Sequence, residues 1–233
     1  MEANMGKKYQ VLFLDLDNTL FDFEKSEKIA LIDTAKQFGF SECYALFEKT
    51  YHEVNKPLWL KLERGECTGE FIKIERFVQL VNRLNLSCDP VEMSDFYIMR
   101  LGEGIEMFPY ASEVCEVLSQ DYKLVAVTNG IKAVQENRMK RSGLVKYFEA
   151  IIISEDVGYS KPHPMIFEMA MQKIGTRDKN KVLMIGDSLK VDILGAHEAG
   201  FDTCWVNFKG LPSPEVSVHK WEIRKLEQLL NYL

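Results

Sequence analysis

This chain of 233 residues has no apolar run approaching the roughly 20 residues that a membrane-spanning helix requires. Its opening segment, Met-Glu-Ala-Asn-Met-Gly-Lys-Lys-Tyr, lacks the apolar centre of a secretory leader, and Met5 offers a second start. Cysteine is sparse and scattered, at Cys43, Cys67, Cys88, Cys115 and Cys204. The number is odd and no Cys-x-x-Cys occurs, which argues against a disulfide framework. The four histidines show no zinc-ligand spacing. An excess of positive charge is also missing: 29 Lys and Arg stand against 35 Asp and Glu, for a formal charge of −6. That balance argues against a nucleic-acid polymer or an anionic membrane as partner, although a local basic pocket for phosphate remains compatible with it. The expectation is a reduced, cytoplasmic protein that handles a small molecule. With 46% apolar and 27% charged residues it is an ordinary globular mixture. It is long enough for one large domain or a core with a smaller companion.

What is present is concentrated at Val11-Leu12-Phe13-Leu14-Asp15-Leu16-Asp17-Asn18-Thr19-Leu20. Four apolar residues read as a buried strand, which ends in two carboxylates and a hydroxyl. Asp15 and Asp17 are two positions apart, so a continuing strand sends both to one side. Two carboxylates held that close require a positive charge between them, and a hard divalent cation such as magnesium takes such oxygen ligands. The plainer reading is an Asx-type turn.

Beyond Leu20 the pattern turns helical for about eighty residues. Glu24 to Phe38 carries apolar residues at Ile29, Ile32, Ala35 and Phe38, with Gly39 placed to stop the helix. Ser41 is a cap for the next helix, which Pro57 is expected to kink or break near Lys56. Thr68 precedes a stripe of Phe71, Ile74, Phe77, Val78, Val81 and Leu84, and Asp89-Pro90 opens a further helix towards Arg100. The aromatic residues of this block (Phe47, Tyr51, Trp59, Phe71, Phe77, Phe96, Tyr97) read as core between helices.

From Gly102 onward strands at 123–127, 150–153, 181–185 and 203–206 alternate with helices, which predicts a mainly parallel, doubly wound sheet. Ligands of such sheets bind beyond the carboxyl ends of the strands, so the residues found there matter most. They are Asp15 and Asp17, then Thr128-Asn129-Gly130, then Ser160-Lys161-Pro162-His163-Pro164, and last Gly186-Asp187-Ser188 with Asp192 one turn on. Each set alone has a bland explanation: a helix cap, a solvated lysine, a strand-to-helix turn. His163, between two prolines, reads as structural. Together on one edge, they supply a nucleophile, a proton donor, anion-binding groups and ligands for a hard cation, which is the set phosphoryl transfer requires.

On these residues the chain resembles the haloacid dehalogenase (HAD) superfamily of phosphohydrolases over essentially its whole length. Asp15-Leu16-Asp17-Asn18-Thr19 is similar to the first motif of that family, Thr128-Asn129 to the second, Lys161-Pro162 to the third, and Gly186-Asp187-Ser188 through Asp192 to the fourth. The resemblance implies a Rossmann-like α/β core formed by 1–20 and 103–233, with an inserted helical cap at 21–102. It also implies that Asp15 attacks phosphorus to give an aspartyl-phosphate, and that Asp17 protonates the leaving oxygen and later activates water. By the same resemblance Thr128, the backbone around Asn129, and Lys161 hold the phosphate. Asp15, the Asp17 carbonyl and Asp187 bind Mg2+, with Ser188 and Asp192 behind them. Family members that cleave carbon–halogen bonds lack the second aspartate, so the presence of Asp17 favours phosphate esters. The Asp-Asn-Thr-Leu-Phe-Asp-Phe-Glu stretch is most similar to the pyrimidine 5′-nucleotidase-like branch, which makes a nucleoside 5′-monophosphate the expected substrate. Alternatives are phosphoglycolate, a sugar phosphate, a β-phosphoglucomutase-like mutase, or a phospho-acceptor signalling module without turnover. Phe21 and Phe23 are candidates for stacking on a base, with core packing as the competing role. The sequence leaves the oligomeric state open.

Overall fold

A computed structural model describes residues 7–213, 215 and 217–233, so the reading of the first residues as leaderless, with a second start at Met5, lies outside the described residues. The chain divides into two compact units. One comprises residues 7–22, 107–129 and 143–233 of the described chain, the other Phe23–Glu106 and Gly130–Ser142. Among the described residues no helix is long and apolar enough to cross a membrane.

The chain begins with strand β1 (Val11–Leu14) and then forms α1 (Phe23–Gln37), α2 (Tyr44–Glu63), α3 (Gly69–Leu84) and α4 (Pro90–Glu103). There follow α5 (Ala111–Ser119), β2 (Lys123–Thr128), α6 (Lys132–Arg141), β3 (Phe148–Ile153), the single turn α7 (Ser154–Val157) and α8 (Pro164–Lys173). The last elements are β4 (Val182–Gly186), α9 (Gly195–Glu198), β5 (Asp202–Val206), β6 (Trp221–Ile223) and α10 (Leu229–Tyr232).

In the α/β unit all six strands are parallel, in the order β3-β2-β1-β4-β5-β6. The three apolar strands β1, β2 and β4 lie inside the sheet, which explains their continuous rather than alternating apolar runs. Val11 and Phe13 face Val125, Val127, Met184 and the α8 residues Ile166, Phe167 and Ala170 in one cluster. The order reverses between β1 and β4, and a doubly wound sheet opens its ligand crevice at such a point. The edge strand β6 escapes prediction because three residues carry no readable period.

The helical unit departs from its sequence pattern in instructive ways. α1 buries Ser26, Glu27, Ala30, Leu31, Thr34 and Ala35, while Ile29 and Ile32 are 40% and 43% exposed. Of the expected stripe Ala35 is buried and Phe38 packs against the helical cluster, whereas Ile29 and Ile32 lie off the buried face, which Ala30, Leu31 and Thr34 fill instead. Ser41 opens a short tight turn, Ser41–Cys43, that runs directly into α2, and Cys43 precedes α2 without a side-chain cap. α2 continues through Pro57: the missing N–H removes one hydrogen bond, while Val54, Leu58 and Leu62 remain buried on either side of it. The expected caps at Thr68 and Asp89 are present, each accepting a backbone N–H, from Phe71 at 3.2 Å and Val91 at 2.8 Å. Of the seven aromatics read as core, Phe47, Tyr51, Phe77 and Tyr97 are buried, whereas Phe71 is 48% exposed. Residues 130–142, part of the α/β alternation in the sequence, group with the helices because Ile131 and Val134 join the cluster containing Tyr97 and Leu101.

At the centre of these helices is a buried polar hub with one contribution from each of α1 to α4. Tyr51 donates to Tyr97 Oη at 2.8 Å, both hydroxyls lie within hydrogen-bond reach of Glu27 Oε1 (3.1 and 3.3 Å), and Arg76 Nη1 donates to Tyr51 Oη at 3.2 Å. The Arg76 guanidinium also lies 4.7 Å from the Tyr97 ring centroid. Burial pushes the Glu27 carboxyl up, against the pull of His52, Tyr51 and Arg76. Removing one member strands the others without water, so Tyr51→Phe should cost about 1–3 kcal/mol of stability in urea unfolding. An unchanged midpoint would show that the hub contributes nothing.

Candidate active site

β1 ends at Leu14, and the Asp15 N–H continues the ladder by donating to the Ile185 carbonyl at 2.9 Å. The chain then coils tightly. The N–H groups of Leu20 and Phe21 both donate to the Leu16 carbonyl at 2.9 Å, and Asn18 adopts a left-handed backbone (φ +60°) that an asparagine tolerates. Asp15 is thereby buried at the sheet edge, while Asp17 stays half-buried. Phe21 is completely buried and Phe23 is packed into the helical cluster, so both serve as core in this structure. The Thr19 hydroxyl is buried and meets no hydrogen-bond partner among the described residues.

Lys161 arrives from the loop after α7 and is almost wholly buried, with its Nζ 2.6 Å from Asp15 Oδ1 and 2.6 Å from Asp192 Oδ1. The lysine is held there through its backbone. Asn129, just past β2, accepts the Lys161 N–H on Oδ1 at 2.7 Å and donates from Nδ2 to the Lys161 carbonyl at 2.8 Å. The Asn129 side chain is therefore a two-pronged clasp that fixes Lys161. Thr128, at the strand end, is buried. The Lys161–Pro162 peptide is cis. His163 caps α8, accepting the Met165 N–H on Nδ1 at 3.2 Å, in keeping with a structural role.

The fourth segment begins at Gly186, the end of β4. Asp187 follows, and its carbonyl accepts the Trp205 Nε1–H from β5 at 2.8 Å. Ser188 donates its N–H to Asp192 Oδ2 at 3.0 Å, and its hydroxyl caps a wide helical turn, Leu189–Leu194, in which Ile193 N–H reaches back to the Ser188 carbonyl. Two glycines make this packing feasible. A Cβ on Gly186 would lie 2.5 Å from the Asp192 carboxylate, and one on Gly195 would lie 2.6 Å from Pro162 Cβ. The sequence marks Gly186 within the Gly-Asp-Ser segment, whereas neither Gly195 nor Trp205 stands out there. A glycine closing a strand just before an acid signals close approach, but nothing local marks a tryptophan eighteen residues away.

Carboxylate oxygens of Asp15, Asp187 and Asp192 come within 4.8 Å of one another, with Lys161 as the buried cation among them. Burial lifts the Asp15 carboxyl to about 7; Lys161 opposes the rise while Asp192 and Asp17 add to it. Burial likewise lifts Asp187 to about 8, with Asp15 and Asp192 adding to it. Burial would lower Lys161, but Asp15 and Asp192 outweigh it and hold the ammonium charged. Ionising all three carboxyls against one ammonium would leave negative charge uncompensated, which only a further cation could offset, and an all-oxygen donor set suits a hard divalent one.

A six-stranded parallel sheet with an acidic, lysine-containing centre at its switch point defines a doubly wound α/β enzyme. Within that class, the chain belongs to the haloacid dehalogenase-like hydrolases, whose family model matches residues 9–200. It is 33% identical to the pyrimidine 5′-nucleotidase YjjG of Escherichia coli, over 95% of this chain and 96% of that protein. It is 34% identical to the pyrimidine 5′-nucleotidase PynA of Streptococcus pneumoniae, over 97% and 95%. The crystal structure of the putative HAD-hydrolase YfnB of Bacillus subtilis bound to magnesium superposes with a TM-score of 0.86 at 32% identity, covering 97% of this chain and 99% of that one. Membership in a hydrolase family sets aside the phospho-acceptor module.

Because Asp15 and Asp187 keep their protons to higher pH when folded, the native state binds more protons than the unfolded one between about pH 4 and pH 8. Their contribution to stability therefore falls as pH rises through that window. In EDTA, Asp187→Asn should melt above the wild type near pH 8, and the gap should narrow towards about pH 5. Excess magnesium should reverse the order at the upper end. A gap independent of pH in thermal melts would refute the raised Asp187 carboxyl.

Proposed function

We propose that this protein is a magnesium-dependent phosphomonoester hydrolase that works through an aspartyl-phosphate on Asp15, with a pyrimidine nucleoside 5′-monophosphate as its substrate. The observation that carries the chemistry is the Lys161 ammonium placed 2.6 Å from both Asp15 and Asp192 beside a third acid, Asp187. The substrate reading is supported by two relatives, each about one-third identical over nearly full length, that are named pyrimidine 5′-nucleotidases.

In this reading Asp15 and Asp187, together with the Asp17 carbonyl, hold the metal, and Asp192 stands behind them tied to Lys161 and the Ser188 N–H. When bound, magnesium supplies the positive charge that lets a carboxylate and a phosphate dianion meet. Lys161 contributes the same kind of charge from the protein, and Thr128 and the backbone at Asn129 complete the cradle for the phosphoryl oxygens. An Asp15 oxygen bonds to phosphorus as the ester P–O bond breaks, and Asp17 passes its proton to the departing oxygen. Asp17 then takes a proton from the water that attacks the same phosphorus, which breaks the bond to Asp15 and frees inorganic phosphate. The helical unit is the cap in this reading, and the residues that select the nucleoside belong to it.

Phosphate release should be fastest with pyrimidine nucleoside 5′-monophosphates among a panel including purine nucleotides, sugar phosphates and phosphoglycolate, and should stop in EDTA. Asp15→Asn should lower kcat at least about a thousandfold with the fold intact by circular dichroism. No release from any ester would overturn the hydrolytic reading, and a dominant sugar phosphate would overturn the substrate.

A further inference from the structure

Apart from the acidic centre, the α/β unit contains a cavity of about 330 Å3 lined by Phe108, Tyr110, Phe208 and Leu226, with Arg224 and Lys225 beside them. Phe108 and Phe208 form an aromatic corner, their ring centroids 4.4 Å apart at 56°. Tyr110 is 55% exposed and sits in the left-handed backbone region (φ +63°), which a bulky side chain adopts only under strain and which recurs at ligand clamps. Arg224 has Glu222 as a neighbour at 3.4 Å, and the Lys225 ammonium has no ion pair among the described residues. Glu227 also lines the cavity, so with Arg224 beside Glu222 the Lys225 ammonium is the cation left for a ligand.

We propose that this cavity binds a small anion carrying one aromatic ring, with the ring against Phe108, Tyr110 and Phe208 and the charged group towards Arg224 and Lys225. Aromatic walls supply stacking area and the two cations supply charge complementarity. The volume is at the lower end for small-molecule sites and admits a single ring with its charged group. An occupant would bear on the acidic centre through two backbone links. The Phe108 N–H donates to the Leu20 carbonyl at 3.0 Å, and Met107 pairs with Phe21, at the end of the coil that carries Asp15 and Asp17. Phe208 is three residues beyond Trp205, whose indole holds the Asp187 carbonyl.

Aromatic carboxylates and pyrimidine nucleotides share this chemistry. Isothermal titration of the magnesium-loaded full chain with 4-hydroxybenzoate should give one site with a Kd of about 1 mM. Phe208→Ala and Arg224→Glu should each weaken it at least about fivefold, while Asp15→Asn should leave it unchanged. Arg224 is exposed, so that variant tests the site even if Phe208→Ala fails to fold. Absence of binding up to about 10 mM, or equal affinity in the folded variants, would overturn the proposal. In the Asp15→Asn protein, displacement of 4-hydroxybenzoate by uridine 5′-monophosphate would assign the site to nucleotides, and failure to displace would assign it to aromatic carboxylates. Neither arm depends on phosphate release, so a negative result here leaves the hydrolytic reading standing.

Discussion

The contact on which the centre depends is the ammonium of Lys161 lodged between Asp15 and Asp192. A lysine this deeply buried persists only with opposite charge against it, and carboxylates this deeply buried persist only with positive charge against them. Three strand ends and a loop must therefore arrive at one point within a few tenths of an ångström. The means are modest. A parallel sheet aligns β1, β2 and β4, an asparagine clasps the lysine backbone, and a tryptophan indole holds the Asp187 carbonyl. The single lysine cannot balance all the acids once they ionise, and that makes the centre a receptor for a cation instead of a closed ion pair.

Much of this was legible in the order of residues. Buried parallel strands announce themselves as apolar runs, and the rule that ligands gather at their carboxyl ends singled out Asp15, Lys161, Asp187 and Asp192, which the fold brings together. Other features had no local signature. Asn129 read as meeting phosphate through its backbone, and nothing local announces that its side chain clasps Lys161, 32 positions away. On α1 Ile29 and Ile32 read as part of the buried stripe, but Ala30, Leu31 and Thr34 fill that face instead. Pro57 read as a break, and the burial of residues on both sides of it carries α2 through. In each case a contact distant in sequence, invisible in the local pattern, decides where the side chain goes.

The two units use polar groups for different ends. In the α/β unit the charges are crowded into a buried place, and burial above all, with the neighbouring acids adding to it, raises Asp15 and Asp187. In the helical unit Glu27, Tyr51, Arg76 and Tyr97 are linked across four helices, Arg76 through Nη1 and through aromatic faces against its guanidinium. Such a hub fixes which helix faces which, since any slip of one helix by a turn would separate the four groups. Apolar packing alone discriminates less sharply among registers.

Gly186 gives this arrangement an unusual point of failure. The space its missing side chain would fill is where the Asp192 carboxylate resides. A lone added methyl group would thus act as an eviction: the acid would be displaced, its grip on the lysine lost, and the Ser188 amide left unmet. In a library of random variants, the position with nothing to contribute chemically should behave like one that carries charge. Tolerance at such a site measures room, and here the room is already let to an anion.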